Sequence, residues 1–169
     1  MLIFLSIMRG GAPVGHFKNW GREDWIRAIN ENMLTSIEMI KAVIDSMVSK
    51  KFGRIVNITS GSVKSPIPEL GLSNGARSGF TGFVAGIARE YAQYNVTINN
   101  LLPGQFNTAR IEALIEKRAK ENGITSQELR AKLEEENPSK RLGEIGEFGV
   151  ACAWICSTHS SYLVGQNIL

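Results

Sequence analysis

The 169-residue sequence is poor in the side chains that build most metal and triad sites. It contains 2 histidines and 2 cysteines, so a histidine-based triad or a metal cluster has few ligands to draw on. Cys152 and Cys156 lie four residues apart in an apolar run that favours a helix. This pattern is typical of reduced core thiols; a metal site is the alternative and would need further ligands nearby.

The sequence also lacks blocks of basic residues and long hydrophobic runs. Its net charge is +3, but the basic residues alternate with acidic ones, so we expect no nucleic-acid partner. The apolar opening, residues 1–8, is too short to span a membrane and has no basic start or cleavage site. We therefore expect a cytoplasmic protein without a membrane partner, built as one domain over residues 1–169.

Glycine is present, but not in the spacing that holds a dinucleotide. No two of the 17 glycines are separated by a single residue, so the strand–turn–helix signature G-x-G-x-x-G is absent. The nearest candidate, GGAPVG at 10–15, follows a predicted strand without leading directly into a helix.

Strands and helices alternate along the chain. Apolar runs predict strands at 2–8, 54–60, 95–104 and 162–169. Helical periodicity predicts helices at 22–49 and 73–94, and a last one at about 143–156. The alternation predicts an α/β protein, a three-layer sandwich with a parallel sheet joined by right-handed crossovers.

Each long helix has a predicted apolar face. The first should end at Gly53, and the second carries many small residues (Gly79, Gly82, Ala85, Gly86) that close packing must compensate. The face of the first comprises Trp25, Ile29, Met33, Ile37, Ile40, Ile44 and Val48. The face of the second comprises Ala76, Phe80, Phe83, Val84, Ile87, Ala88 and Tyr91.

The segment 108–141 differs in character. It has 15 charged residues and a break at Asn122–Gly123, which predicts two short amphipathic helices joined by a turn. Such a segment is either a solvated excursion or a lid over a pocket.

Four motifs occur in an order and spacing that resemble one enzyme family. They are NITSGS at 57–62, the mid-helix NEN containing Asn32, TINNLLPGQFNT at 97–108, and the closing segment 141–169. Together they resemble the C-terminal part of the short-chain dehydrogenase/reductase family, in particular reductases of 3-oxoacyl carriers. The resemblance implies a partial Rossmann-like fold that lacks the N-terminal βαβ units, and an NAD or NADP cofactor.

The resemblance also implies roles for individual residues. Ser60 takes the place of the catalytic serine and Asn32 that of the catalytic asparagine. Pro103, Gly104 and Thr108 take the cofactor-contacting places. Other readings stay open: Ser60 could bond loop backbone, Asn32 could be solvated, and Thr108 could cap the following helix.

Two departures from the family pattern bear on activity. The segment Ile7-Met8-Arg9-Gly10 stands where the family has Asn-Asn-Ala-Gly, and the family's Tyr-x-x-x-Lys pair falls on Ser73 and Arg77. A serine hydroxyl is a far poorer acid than a phenol, and an arginine does not titrate at ordinary pH. Arg77 can hold the cofactor's ribose or a substrate oxyanion, or simply extend its charge to solvent.

Three functions are compatible with this pattern. The first is an atypical and weak NAD(P)-dependent oxidoreductase acting on a carbonyl or alcohol, although the missing glycine turn makes cofactor binding doubtful. The second is a non-catalytic member that folds and associates without hydride transfer. The third is a module that binds an acyl or anionic ligand. The family packs protomers through the helices at 22–49 and 73–94, so the resemblance also implies a homo-oligomer.

Overall fold

The computed structural model describes residues 12–169 and the backbone of residues 3–7. Within these residues, four strands form one sheet in the order β1-β2-β3-β4, and every neighbouring pair is parallel. The strands are β1 (Ile3–Ile7), β2 (Gly53–Ile58), β3 (Val96–Leu101) and β4 (Asn167–Ile168). The parallel α/β arrangement predicted from the alternation is confirmed. The altered segment at Met8–Gly10 and the start of the GGAPVG turn lie outside the described residues.

The helices lie where the apolar periodicity predicts them. Their bounds are α1 (Arg22–Ile29), α2 (Thr35–Ser49), α3 (Gly71–Ala92), α4 (Ala109–Asn122), α5 (Ser126–Glu136) and α6 (Ile145–Ile155). The main core joins α2 and α3 to one face of the sheet. It contains Ile40, Ile44, Met47, Ile55, Phe80, Val84, Ala88, Val96 and Ile98. The carboxyl end of β2 comes close to the first turns of α3, where Arg77 donates to the carbonyl of Thr59.

The helix predicted over 22–49 is interrupted by one π-helical segment, Asn30–Leu34. The N–H of Thr35 donates to the carbonyl of Asn30, five residues earlier, which adds one residue to that turn. As a result Ala28 and Asn32 face inward, 2% and 0% exposed, whereas Ile29 is 37% exposed. The prediction that Ile29 belongs to the buried face is wrong for this reason.

The prediction that the first long helix ends at Gly53 is wrong, because Gly53 begins β2. The helix α2 ends at Ser49, and Lys51 makes the turn with a φ of 50°. A Cβ at Gly53 would lie 2.8 Å from Cβ of Met47, which is fully buried. Glycine is therefore required there by the close approach of Met47.

The apolar face predicted for the second long helix is confirmed on α3, but its small residues are explained only in part. A Cβ at Gly79 would lie 3.3 Å from Sδ of Met33, so this glycine permits close packing against the π-helical segment. Gly82 and Gly86 have nothing within 4 Å of such an atom. The expected compensation by packing is wrong for these two residues.

The described chain divides into two compact units. One comprises the described residues up to Pro103 together with Cys152–Leu169, and the other is Gly104–Ala151. The second unit contains α4 and α5, separated at Gly123, whose φ of 65° is readily adopted by glycine. The two predicted short helices and their break are confirmed, while their role as a lid stays a prediction.

None of the helices in the part of the chain that the structure describes is both long enough and apolar enough to cross a membrane.

Candidate active site

Ser60 lies just beyond the carboxyl end of β2 and caps the short turn that follows. The N–H of Gly61 donates to the carbonyl of Pro103 over 3.0 Å, which fixes this turn to the end of β3. The Ser60 Oγ accepts the N–H of Ser62 at 3.2 Å and lies 2.9 Å from the Ser62 Oγ. The reading in which Ser60 bonds loop backbone is therefore correct. Its side chain is only partly buried, so the hydroxyl remains able to meet a substrate.

Ser73 and Arg77 form a hydrogen-bonded pair on α3. Arg77 Nε donates to Ser73 Oγ at 3.0 Å, and Arg77 Nη1 donates to the carbonyl oxygen of Thr59 at 2.9 Å. Both side chains are 7% exposed. The guanidinium does not extend into solvent, so that reading of Arg77 is wrong. The contact with Thr59 joins the Ser73–Arg77 pair to the residue next to Ser60.

Asn32 is fully buried in the π-helical segment and is not the solvated residue that one reading suggested. Its Nδ2 donates to the carbonyl of Ala28 at 3.1 Å, but its Oδ1 has no hydrogen-bond partner among the described residues. A buried acceptor left without a donor is costly and marks a place for a water molecule or a ligand donor. No hydrogen bond among the described residues joins Asn32 directly to Ser60 or Ser73.

Two polar residues of this region were missed by the sequence analysis. Thr59 is 6% exposed, and its Oγ1 is buried without a partner in the described part of the chain. Ser62 is 4% exposed and bonds the Ser60 hydroxyl. The sequence signal for both is their position within two residues of Ser60 in the TSGS run.

The predicted cofactor-contacting residues are divided between the two units: Pro103 belongs to the first, and Gly104 and Thr108 belong to the second. Pro103 accepts the N–H of Gly61. Thr108 is the N-cap of α4, since its hydroxyl accepts the N–H of Ile111 at 3.3 Å. The capping alternative is therefore correct, and the hydroxyl proton of Thr108 stays available as a donor. A Cβ at Gly104 would meet nothing within 4 Å.

Each unit offers polar groups of its own. In the first, the Ser60 hydroxyl and the peptide at Pro103 are groups of the kind that bind a nicotinamide or a ribose; in the second, the Thr108 hydroxyl and the peptide at Gly104 are of the same kind. The sequence contains no two glycines one residue apart, so it offers no G-x-G-x-x-G turn for the pyrophosphate.

Comparison with known proteins places this site in a family context. Residues 4–169 match the family described as enoyl-(acyl carrier protein) reductase. The chain is 28% identical over 166 residues to an NADPH-dependent reductase of Bacillus subtilis, covering 98% of this chain and 64% of that protein. It is 32% identical over 153 residues to acetoacetyl-CoA reductase of Cupriavidus necator, covering 89% of this chain and 57% of that protein.

Solved structures agree on the fold. An NADPH-dependent reductase involved in bacilysin biosynthesis superposes with a TM-score of 0.88 at 26% identity, over 98% of this chain and 64% of that one. The L-sorbose reductase of Gluconobacter frateurii gives a TM-score of 0.87 at 18% identity, over 97% and 63%. This chain thus spans somewhat less than two thirds of the length of these relatives.

Proposed function

Because the chain belongs to the short-chain dehydrogenase/reductase family, we propose that it is an atypical and weak NAD(P)-dependent oxidoreductase acting on a carbonyl or alcohol substrate. The observation that carries the proposal is the contact of Arg77 with both Ser73 Oγ and the Thr59 carbonyl, beside Ser60. This arrangement gathers two hydroxyls and one permanent cation at the carboxyl end of β2.

The hydroxyls are suited to binding a carbonyl oxygen. Ser73 Oγ accepts a hydrogen bond from a guanidinium, so its own proton is free to be donated. Ser60 can donate as well when Ser62 donates in the bond between their hydroxyls. Two such donors, with a nearby cation, stabilise negative charge that develops on a carbonyl oxygen.

Transfer of a hydride to the carbonyl carbon would leave an alkoxide, and protonation of this alkoxide is the slow step that we expect. Neither serine is an effective acid near neutral pH, and the guanidinium of Arg77 keeps its proton. Water must therefore supply the proton. The unpartnered Oδ1 of Asn32 is suited to hold a water molecule, and this is the role that we assign to it. The expected consequence is slow turnover.

An NAD(P)H bound here would supply the hydride. We assign the contacts with its nicotinamide end to Ser60, Arg77, Pro103, Gly104 and Thr108. The similarity to acetoacetyl-CoA reductase favours a carbonyl substrate. Because the chain covers 57% of that relative's length, the full reaction of the relative is a proposal for this chain.

We further propose that the chain works as a homo-oligomer in the cytoplasm, without nucleic-acid or membrane partners. Ile26, Ile29 and Leu34 are 40%, 37% and 44% exposed around the π-helical segment. A groove lined by Leu34, Met39 and Ala42, together with Asn30, Thr35 and Glu38, shares Leu34 with this exposed surface. Burial of this exposed apolar surface against a second copy would favour association, and a light-scattering mass equal to one chain would refute the proposal.

A non-catalytic member of the family is the second candidate. It is favoured by the same contact, since two of the guanidinium donors of Arg77 are committed to protein oxygen atoms. In that case the pair serves only to fasten α3 to β2, and the chain binds no cofactor.

Two experiments separate the candidates: a cofactor titration, and a variant in which the family's catalytic tyrosine and lysine are put back. We expect NADPH or NADH to bind the wild-type chain weakly by calorimetry, with slow reduction of an acetoacetyl thioester. The double variant Ser73→Tyr with Arg77→Lys should raise turnover, and Ser60→Ala in the same background should abolish the gain. Absence of binding at millimolar cofactor would establish the non-catalytic candidate.

A further inference from the structure

The chain contains two Asn-Gly dipeptides, Asn74–Gly75 near the start of α3 and Asn122–Gly123 at the end of α4. An asparagine followed by glycine is open to a spontaneous reaction, because glycine has no Cβ to hinder attack of its backbone nitrogen on the asparagine side chain. The attack requires the asparagine to leave helical dihedral angles and the glycine nitrogen to lose its hydrogen bond. The two sites differ in both respects.

The Asn122–Gly123 site lies exposed where α4 ends. Gly123 has a φ of 65°, so the helical path stops directly after Asn122. The N–H of Gly123 is shared between the carbonyls of Ala119 and Lys120, and the bond to Lys120 is long, at 3.4 Å. One bond holds the Asn122 side chain, from its Nδ2 to the carbonyl of Arg118 at 2.7 Å. Because the last turn of a helix frays, these bonds open locally without unfolding of the protein.

The Asn74–Gly75 site is held more firmly. Asn74 is partly buried, its Oδ1 is enclosed, and its Nδ2 donates to the carbonyl of Ile67 at 2.8 Å. Helical geometry gives the N–H of Gly75 an intrahelical partner, since α3 begins four residues earlier. A Cβ at Gly75 would lie 3.0 Å from the ring of Trp25, so this ring packs against the backbone of the dipeptide. The reaction there would first require α3 to open beside Trp25.

We propose that Asn122 is a site of spontaneous deamidation and isoaspartate formation, and that Asn74 is protected from it. The backbone nitrogen of Gly123 attacks Cγ of Asn122 and closes a five-membered succinimide. The Cγ–Nδ2 bond breaks, and Nδ2 leaves as ammonia with the proton of the attacking amide. Water then opens the ring at either carbonyl and leaves aspartate or isoaspartate. Water is the only co-reactant, and no atom changes its oxidation state.

Both products weaken the end of α4. Aspartate places a negative charge at the negative end of the helix dipole. Isoaspartate adds one carbon atom to the backbone between residues 122 and 123. This extra atom displaces the N–H groups of Gly123 and Ile124 from the carbonyl of Ala119, which accepts both of them. The modification therefore loosens the turn between α4 and α5 as the protein ages.

Incubation of the wild-type chain in mildly alkaline buffer, with samples digested briefly by trypsin, tests the proposal. By mass spectrometry, the peptide 121–130 should gain the mass difference between an amide and an acid, and it should become a substrate for isoaspartate methylation. The peptide 65–77 should stay unmodified over the same period. We expect the rate at Asn122 to exceed that at Asn74 by at least about tenfold. Equal rates at the two sites, or an unchanged Asn122, would overturn the proposal.

Two controls show whether the fold is the cause. Asn122→Gln keeps an amide at an exposed position but would have to close a six-membered ring, so it should stay unmodified and match the wild type in circular dichroism. Synthetic peptides 65–77 and 121–130, free in solution, should deamidate at similar rates because neither is held by a fold. A large difference between the free peptides would contradict the protection that we assign to α3, as would modification of Asn122→Gln at the wild-type rate.

Discussion

The Nη1 of Arg77 donates to the carbonyl oxygen of Thr59 over 2.9 Å and thereby ties α3 to the carboxyl end of β2. Both residues are nearly fully buried, with 7% and 6% exposure. The bond spans 18 residues of sequence and crosses from helix to sheet. It therefore contributes to the free energy of unfolding as well as to the geometry of the site.

Replacing Arg77 with methionine tests this contribution. The change keeps the apolar stem but leaves the buried Thr59 carbonyl without its donor, which costs about 1–3 kcal/mol of unfolding free energy. Arg77→Lys should lower the free energy of unfolding by less, since an ammonium can still reach one acceptor. Urea denaturation at constant m-value measures both. Arg89→Met, at an exposed position of the same helix, should change the free energy of unfolding by less than about 0.5 kcal/mol. Equal effects at the two positions would contradict the assignment.

Three asparagines in register form a hydrogen-bonded row across the sheet. Asn57 Nδ2 donates to Asn100 Oδ1 at 3.1 Å, and Asn100 Nδ2 donates to Asn167 Oδ1 at 2.8 Å. Asn57 and Asn100 are fully buried. Asn100 therefore has to accept from one neighbour and donate to the other at the same time.

Asn100→Asp should be more destabilising at pH 7 than Asn100→Ala, for which we expect about 1–3 kcal/mol. An ionised carboxylate cannot donate to Asn167, and its burial raises the folded-state pKa of the new aspartate. Stability is then retained below the unfolded-state pKa and lost as pH rises through the folded-state pKa. The difference in unfolding free energy between the two variants should become smaller from pH 7 to pH 4, as measured by urea denaturation. Gln93→Glu, at an exposed site, is the control, and a gap independent of pH would refute the row as the cause.

The ion pair of Arg141 and Glu147 in the second unit should shift the titration of the Glu147 carboxyl. Arg141 donates to both carboxylate oxygens, at 2.7 and 2.6 Å, and the N–H of Glu144 donates as well. The side chain of Arg141 and then this N–H lower the pKa of Glu147 to about 2. Because the folded-state pKa is depressed, the stabilisation is present above the ordinary glutamate pKa of about 4.3 and is lost as pH falls toward 2.

Arg141→Gln should return the pKa of Glu147 toward its ordinary value of about 4.3. Carboxyl-detected NMR titration of the wild type and the variant measures the change. Lys117→Gln, which removes a different exposed ion pair on α4, should leave the Glu147 titration where it is. An unshifted Glu147 in the wild type would show that the pair does not persist in solution.

The sequence was sufficient to predict most elements because local patterns encode them. Apolar runs such as RIVNI become β2, and the three- and four-residue steps from Ala76 to Tyr91 become the buried side of α3.

What escaped prediction depends on contacts between distant residues. Nothing in the local pattern indicates that Arg54 is 1% exposed and bonds the carbonyls of Ser157 and Asn95. The acceptors of Arg77 were equally hidden, since Thr59 and Ser73 become its partners only after the chain has folded. Polar residues that satisfy one another inside the protein leave no periodic signal.

The π-helical segment Asn30–Leu34 is a point at which the chain accommodates one extra residue within a helix. Its one additional residue rotates every later side chain of α2 by about 100° relative to a continuous α-helix. Loss of a single residue in the segment would convert the bond between Thr35 and Asn30 to the ordinary four-residue spacing and leave Ile40 and Ile44 facing the sheet. In an alignment of related chains, a one-residue gap here would therefore indicate a continuous α-helix that packs the same residues against the sheet.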